Sequence, residues 1–230
     1  MIKLHLFMTD ANLAGPQFAE ESWSTWKIIA RLLDGDAHLL TEEQKAIART
    51  IIGRDQLPSD PPKEFIAAVR RRVGKTTFCG CLIACTLATD YRSWLRRGEQ
   101  AIVAGIAPTL DQAHILTDRA RGIIEGIPML AAKITRSTAL TIEFEHGTKL
   151  EVAAASFRSI RGRTFALAVL DECAFLRSDE SALPDLELAR ALRPGLLTLG
   201  GRLVAVSSPH MRKGLLWDAY SKYFGAVSPS

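Results

Sequence analysis

From Lys63 onward the chain alternates short apolar runs with longer amphipathic ones, and this alternation restricts the possible fold more than any other feature. KEFIAAV (63–69), QAIVAGIA (100–107), FALAVL (165–170) and GRLVAVSS (201–208) are dominated by apolar residues, as strands buried on both faces must be. Between them, GKTTFCGCLIACTLATD (74–90), TLDQAHILTDRARGIIEG (109–126, with Thr109 as its cap) and SALPDLELARAL (181–192) read as helices, and a last helix is expected around KGLLWDAYSKYF (213–224). Strands that alternate with helices predict an α/β fold with a mostly parallel central sheet flanked by helices. One segment breaks the rhythm. ALTIEFEHGTKLEVAAA (139–155) alternates in polarity about His146-Gly147 and reads as a β-hairpin.

Residues 1–62 follow a different pattern. Phe18, Trp23, Trp26, Ile29, Ala30 and Leu33 recur at helical intervals, which predicts a helix from about Ser22 to Leu33 ended by Asp34-Gly35. Thr41 with Gln44 three positions on forms a capping-box pattern in front of a second helix, EEQKAIARTII, and RDQLPSDPP supplies a turn-rich connector. The expected organisation is a helical, lid-like subdomain and connector over 1–62 and a core over 63–230. A total of 230 residues suits one domain with a small appendage.

Composition narrows the class of partner. With 47% hydrophobic residues the chain can fill a core, which excludes disorder. Lys and Arg total 29 against 25 Asp and Glu, a net charge of +4 that permits a phosphate-bearing ligand without the density of a nucleic-acid tail. The apolar stretch Leu82 to Ala88 falls far short of the roughly 20 residues of a membrane span, and MIKLHLFMTD lacks the length of a signal peptide, so a soluble cytosolic protein is expected. Cys79, Cys81 and Cys85 share one helical segment that turns Cys79 and Cys81 to opposite faces, a poor metal geometry; small buried residues in a reducing compartment are expected instead.

Four motifs carry chemistry. The first, Val69-Arg70-Arg71-Arg72-Val73-Gly74-Lys75-Thr76-Thr77, lies between a predicted strand and a predicted helix. Backbone N–H groups at such a helix start can wrap phosphate oxygens, Lys75 can reach the outer phosphates, and the Thr76 hydroxyl can ligate Mg²⁺. Val69 stands where the full G-x-x-x-x-G-K-T pattern has its first glycine. The second is ALAVLDE (166–172), an apolar strand that delivers Asp171 to the sheet edge to hold Mg²⁺, with Glu172 placed to activate water; by itself such a strand end also fits plain solvated charge. Taken with Gly74-Lys75-Thr76 it points to P-loop proteins that hydrolyse ATP with a catalytic glutamate. The third, Ser207-Ser208-Pro209, ends a buried strand and can sense the γ-phosphate or serve as a simple turn. The fourth is Arg158, Arg161 and Arg163, candidates for an arginine finger or a solvated basic loop, among which spacing alone does not choose.

The combination resembles the ATPase domain of tailed-bacteriophage terminase large subunits, the motors that package DNA into procapsids. IIGRDQLPSDPP, RRRVGKT, SIRGRTFALAVLDECAF and VSSP occur in that family's order. Terminase phosphate loops often lack the first glycine and place an arginine where Arg71 stands. The resemblance implies a P-loop NTPase of the catalytic-glutamate, RecA-like type. It implies that Arg70, Arg71, Arg72, Val73, Gly74, Lys75, Thr76 and Thr77 contact phosphate, with Arg71 as a sensor, that Thr76 and Asp171 hold Mg²⁺, and that Glu172 is catalytic. Arg161, in an Arg-Gly pair, would be the finger, Ser207 and Ser208 the coupling motif, and Gln56 an adenine contact. ATP and Mg²⁺ would be the ligands. Double-stranded DNA of any sequence, a portal protein and a small terminase subunit would be the partners of a homo-oligomeric ring in the cytoplasm of a bacterial host. Family members continue into a nuclease, which is not expected in this chain. A helicase-like ATPase and a nucleotide-responsive module that hardly hydrolyses ATP are the alternative readings.

Overall fold

The computed structural model describes residues 2–154, 162–176, 181 and 183–226. In chain order the helices are α1 (Leu4–Phe7), α2 (Ser24–Leu33), α3 (Glu42–Ile52), α4 (Lys75–Leu87), α5 (Leu110–Glu125), α6 (Pro128–Ala131), α7 (Pro184–Leu196) and α8 (Gly214–Tyr223). The strands are β1 (Glu64–Ala68), β2 (Ala101–Ala107), β3 (Ile134–Thr138), β4 (Thr141–Phe144), β5 (Lys149–Ala154), β6 (Thr164–Asp171) and β7 (Arg202–Ser207).

The strands form one seven-stranded sheet in the order β1-β7-β6-β2-β5-β4-β3. Pairing from β1 through β7, β6 and β2 to β5 is parallel, and the β5-β4-β3 end is antiparallel. The predicted hairpin is therefore β4–β5, turning at Gly147 with φ +83. It carries a third strand, β3, that was not expected. ITRST is polar and its last four residues are exposed, so no apolar alternation marks it.

β1, β2, β6 and β7 each split their side chains between two apolar layers, as the period of two requires. Val204 and Val206 join α4, α5 and the N-terminal residues Phe7, Trp26 and Leu33 on one face; Leu203 and Ala205 join α7 and α8 on the other. Residues of 1–33 thus share a core with the sheet. Their attachment is polar as well as apolar. The Arg202 guanidinium donates to the carbonyls of Pro62 (2.9 Å) and Leu33 (2.6 Å), and the Asp34 carboxylate accepts the N–H groups of Leu4 (3.0 Å) and His5 (2.8 Å) at the start of α1.

Two local expectations are refined. The helix predicted from about Ser22 begins as a 3-10 turn at Glu21–Trp23 and becomes α-helical at Ser24. The Thr41–Gln44 capping box forms with both of its hydrogen bonds, and α3 ends at Gly53 in the left-handed region, φ +70. The four cysteines are buried, and burial pushes their thiols well above the usual range.

Candidate nucleotide site

The sheet order brings three motifs to one edge. β7 lies between β1 and β6, so the chain leaves β1 into the Gly-Lys-Thr loop, β7 into Ser207-Ser208 and β6 into Asp171-Glu172 on adjacent parallel strands. The Val69 N–H extends the ladder by donating to the Ser207 carbonyl at 2.8 Å, which fixes where the loop begins.

Within the loop the backbone turns left-handed twice. Arg72 has φ +65 and Gly74 φ +84, after which α4 starts at Lys75. A left-handed residue next to right-handed ones points successive N–H groups into a shared concavity, and the helix start adds its own unpaired donors and positive dipole end. This is an anion cradle. Arg70, Arg71, Arg72 and Val73 are exposed around it, while Thr76 and Thr77 are half-buried.

The side chains interlock. Lys75 is buried, and its Nζ lies 2.8 Å from Glu172 Oε1 and 3.4 Å from Ser208 Oγ. The Thr76 hydroxyl donates to Asp171 Oδ2 at 3.0 Å. Glu172 Oε2 accepts from the Ser207 hydroxyl at 3.2 Å and the Ser208 N–H at 3.3 Å. Glu172 itself is left-handed, φ +53, and its N–H donates to Asp171 Oδ1 at 3.0 Å. The adjacent acids therefore have different jobs open to them: Asp171 meets Thr76, whereas Glu172 spans Lys75 and the serine pair. Burial raises the Asp171 pKa above its ordinary value, with the Thr76 hydrogen bond opposing that rise. Thr76 Oγ1 and Asp171 Oδ2 are hard oxygen donors within reach of one ion, a set that fits the Mg²⁺ carried by a nucleotide.

Other expected residues are placed less centrally. Arg71 lies with its guanidinium carbon 5.9 Å from the centroid of the Phe175 ring, which stacks on His210 at 4.5 Å. Arg163 pairs with Glu151. Gln56 is exposed in the connector, outside the hydrogen-bond network of the cluster. Arg158 and Arg161 lie outside the described residues.

A profile of the family described as terminase large subunit, T4likevirus-type, N-terminal, matches residues 70–183, a span that opens in the loop and passes the Asp171-Glu172 pair. Residues 70–183 belong to the terminase large-subunit family. No curated protein matches the sequence. Among solved structures, the terminase chain is similar to the large terminase ATPase domain of Thermus phage P74-26, with 19% identity over 77% of this chain and 71% of that one, TM-score 0.48. It is also similar to the large terminase of bacteriophage HK97, with 18% identity, TM-score 0.49, over 74% of this chain and 33% of that one. The match thus spans about a third of the HK97 protein. The α/β architecture places β7 between the phosphate-loop strand β1 and the acidic strand β6, in a mostly parallel sheet flanked by helices.

Some residues of the terminase site were not singled out from sequence. By their spacing Trp23 and Trp26 are apolar positions of a helix, yet both touch the loop. The Trp26 indole N–H donates to the Val73 carbonyl at 2.8 Å, and a Cβ added to Gly74 would lie 2.7 Å from the Trp23 ring. Phe175 stands three residues after Glu172 and His210 directly after Pro209, and that proximity is the available signal.

Proposed function

We propose that this terminase chain is the ATP-hydrolysing motor of a phage DNA-packaging machine. The observation that carries the reading is the mutual contact of the loop with the acidic strand end, Lys75 to Glu172 at 2.8 Å and Thr76 to Asp171 at 3.0 Å. Loop N–H groups and Lys75 grip the phosphates of ATP. Thr76 and Asp171 would hold the Mg²⁺ that comes with the nucleotide, and the ion would supply positive charge against the charge that develops on the transferring phosphoryl group. Glu172 takes a proton from the attacking water. Lys75 has two anionic partners to choose between, Glu172 and phosphate, so phosphate binding draws it off Oε1 and frees that oxygen for the water. Ser207 and Ser208 grip the other oxygen, and through them loss of the γ-phosphate reaches β7 and α8. Arg71 senses phosphate from within the loop, and Arg161 of a neighbouring subunit supplies the finger. Gln56 contacts adenine once the connector closes.

Residues 1–62 act as the lid-like subdomain over the core at 63–230. In a ring around double-stranded DNA the chain grips phosphates without regard to sequence, so salt weakens binding steeply. A portal protein and a small terminase subunit are the packaging partners, in the cytoplasm of a bacterial host. Among the described residues no helix is long and apolar enough to cross a membrane.

The test is DNA-stimulated ATP hydrolysis by wild type, Glu172→Gln and Arg161→Ala, each alone and mixed. Wild-type turnover, loss in each variant and partial recovery in mixed Arg161→Ala and Glu172→Gln rings is the expected pattern. Equal hydrolysis by wild type and Glu172→Gln would overturn the catalytic assignment, and absence of recovery in demonstrably assembled rings would remove the finger across subunits.

A further inference from the structure

We infer that Trp26 is a positioning residue for the phosphate loop: by holding the Val73 carbonyl from the side of α2, it aims the Gly74 N–H into the anion cradle. The inference rests on the nucleotide reading above and adds to it a residue 47 positions from its target.

In a trans peptide the C=O and the N–H point in opposite directions across a rigid plane, and the Val73–Gly74 bond is trans. Whatever grips the Val73 oxygen therefore also sets the direction of the Gly74 N–H. The grip is the indole N–H of Trp26, at 2.8 Å. Rotation of this plane is what a loop of this kind otherwise permits most easily, because Gly74 has no side chain and its φ of +84 is accessible to glycine.

The gripping group is itself immobilised. Trp26 is 5% exposed, and its ring stacks on Phe78 of α4, with centroids 4.4 Å apart and planes 25° from parallel. Phe78 lies one turn into the helix that Gly74 and Lys75 open, and its N–H donates to the Gly74 carbonyl at 2.9 Å. The peptide units before and after Gly74 are thus both held, one by Trp26 and the other by α4. Trp23 completes the clamp by packing its ring on the Gly74 Cα, and is braced edge-on by Phe18 at 4.8 Å. A cradle whose donors are fixed beforehand binds an anion without the cost of ordering it.

Trp26→Phe keeps an aromatic ring against Phe78 and removes the N–H together with part of the indole; Trp26→Leu, which likewise has no donor, is the second variant should the first not fold. Ile29→Val, on the same helix and in the same apolar layer, controls for packing loss alone. The measurements are Mg·ATP affinity by calorimetry, thermal unfolding without nucleotide, and KM against kcat in the full chain. The expected result is a Kd and KM raised about five- to tenfold in either Trp26 variant, the size of one neutral hydrogen bond, with kcat unchanged and Ile29→Val binding as wild type does. Unchanged Kd in the Trp26 variants, or a weakening that Ile29→Val shares in proportion to its stability loss, overturns the inference and leaves the nucleotide reading intact. Failure of wild type to bind Mg·ATP overturns both.

Discussion

Lys75 and Glu172 meet at the carboxyl ends of the parallel strands with 8% and 18% of their side chains exposed, beside a buried Asp171. On the antiparallel side of the same sheet, Lys133 and Glu145 also meet, at 3.0 Å, with 46% and 56% exposed. The residue types and distances are nearly the same, but the surroundings differ. A half-exposed pair exchanges partners with water at little cost, whereas an enclosed pair that loses one member leaves a charge without solvent or partner. Enclosure and shared partners, rather than the number of charges, therefore separate the site from the surface.

That contrast can be broken or sharpened by substitution. Lys75→Ala is expected to have the largest effect, a loss of Mg·ATP affinity of at least about a hundredfold by calorimetry, since it removes a phosphate contact and strands Glu172. Retained affinity would make the enclosed pair a structural one. Glu172→Gln is expected to keep nucleotide affinity within about threefold while turnover drops roughly a hundredfold or more, read from phosphate release.

Asp171→Asn tests burial through pH. Because the folded-state pKa is raised above 3.8, the carboxyl costs nothing when protonated in both states at low pH, and its penalty grows as pH rises through the folded value. The variant should unfold at a higher temperature than wild type at neutral pH, and the difference should close as pH falls toward 3.8. A difference independent of pH would discount burial as its cause. At the exposed pair, Lys133→Ala and Glu145→Ala should each alter stability by no more than about 0.5 kcal/mol in urea unfolding and leave ATP turnover unchanged.

Much of this was legible in the sequence, for identifiable reasons. β2, β6 and β7 are buried on both faces, which makes them near-continuous apolar runs, whereas β1, expected to be as buried, is an edge strand whose central residues are only half-buried; the motif residues stand at or just beyond the strand ends, so the positions of Lys75, Asp171 and Ser207 follow once the strands are found. β3 escaped because an exposed, polar edge strand needs no apolar period. The left-handed backbone at Arg72 and Glu172 escaped because neither position carries the glycine that normally announces it. The spacing of Trp26 reports that its ring is buried; it has no means of reporting which distant carbonyl its N–H will meet.

The packing of Trp23 on Gly74 has a consequence for anyone altering this loop. Trimming Trp23 opens room beside position 74, yet a φ of +84 still disfavours every residue with a Cβ there, so the room cannot be used. Placing alanine at 74, by contrast, puts a Cβ 2.7 Å from the Trp23 ring, so either the indole or the backbone has to shift. Substitutions at these two positions will therefore not be additive: with the indole trimmed, the left-handed backbone at 74 is the remaining obstacle, whereas with the indole in place a Cβ at 74 also collides with the ring.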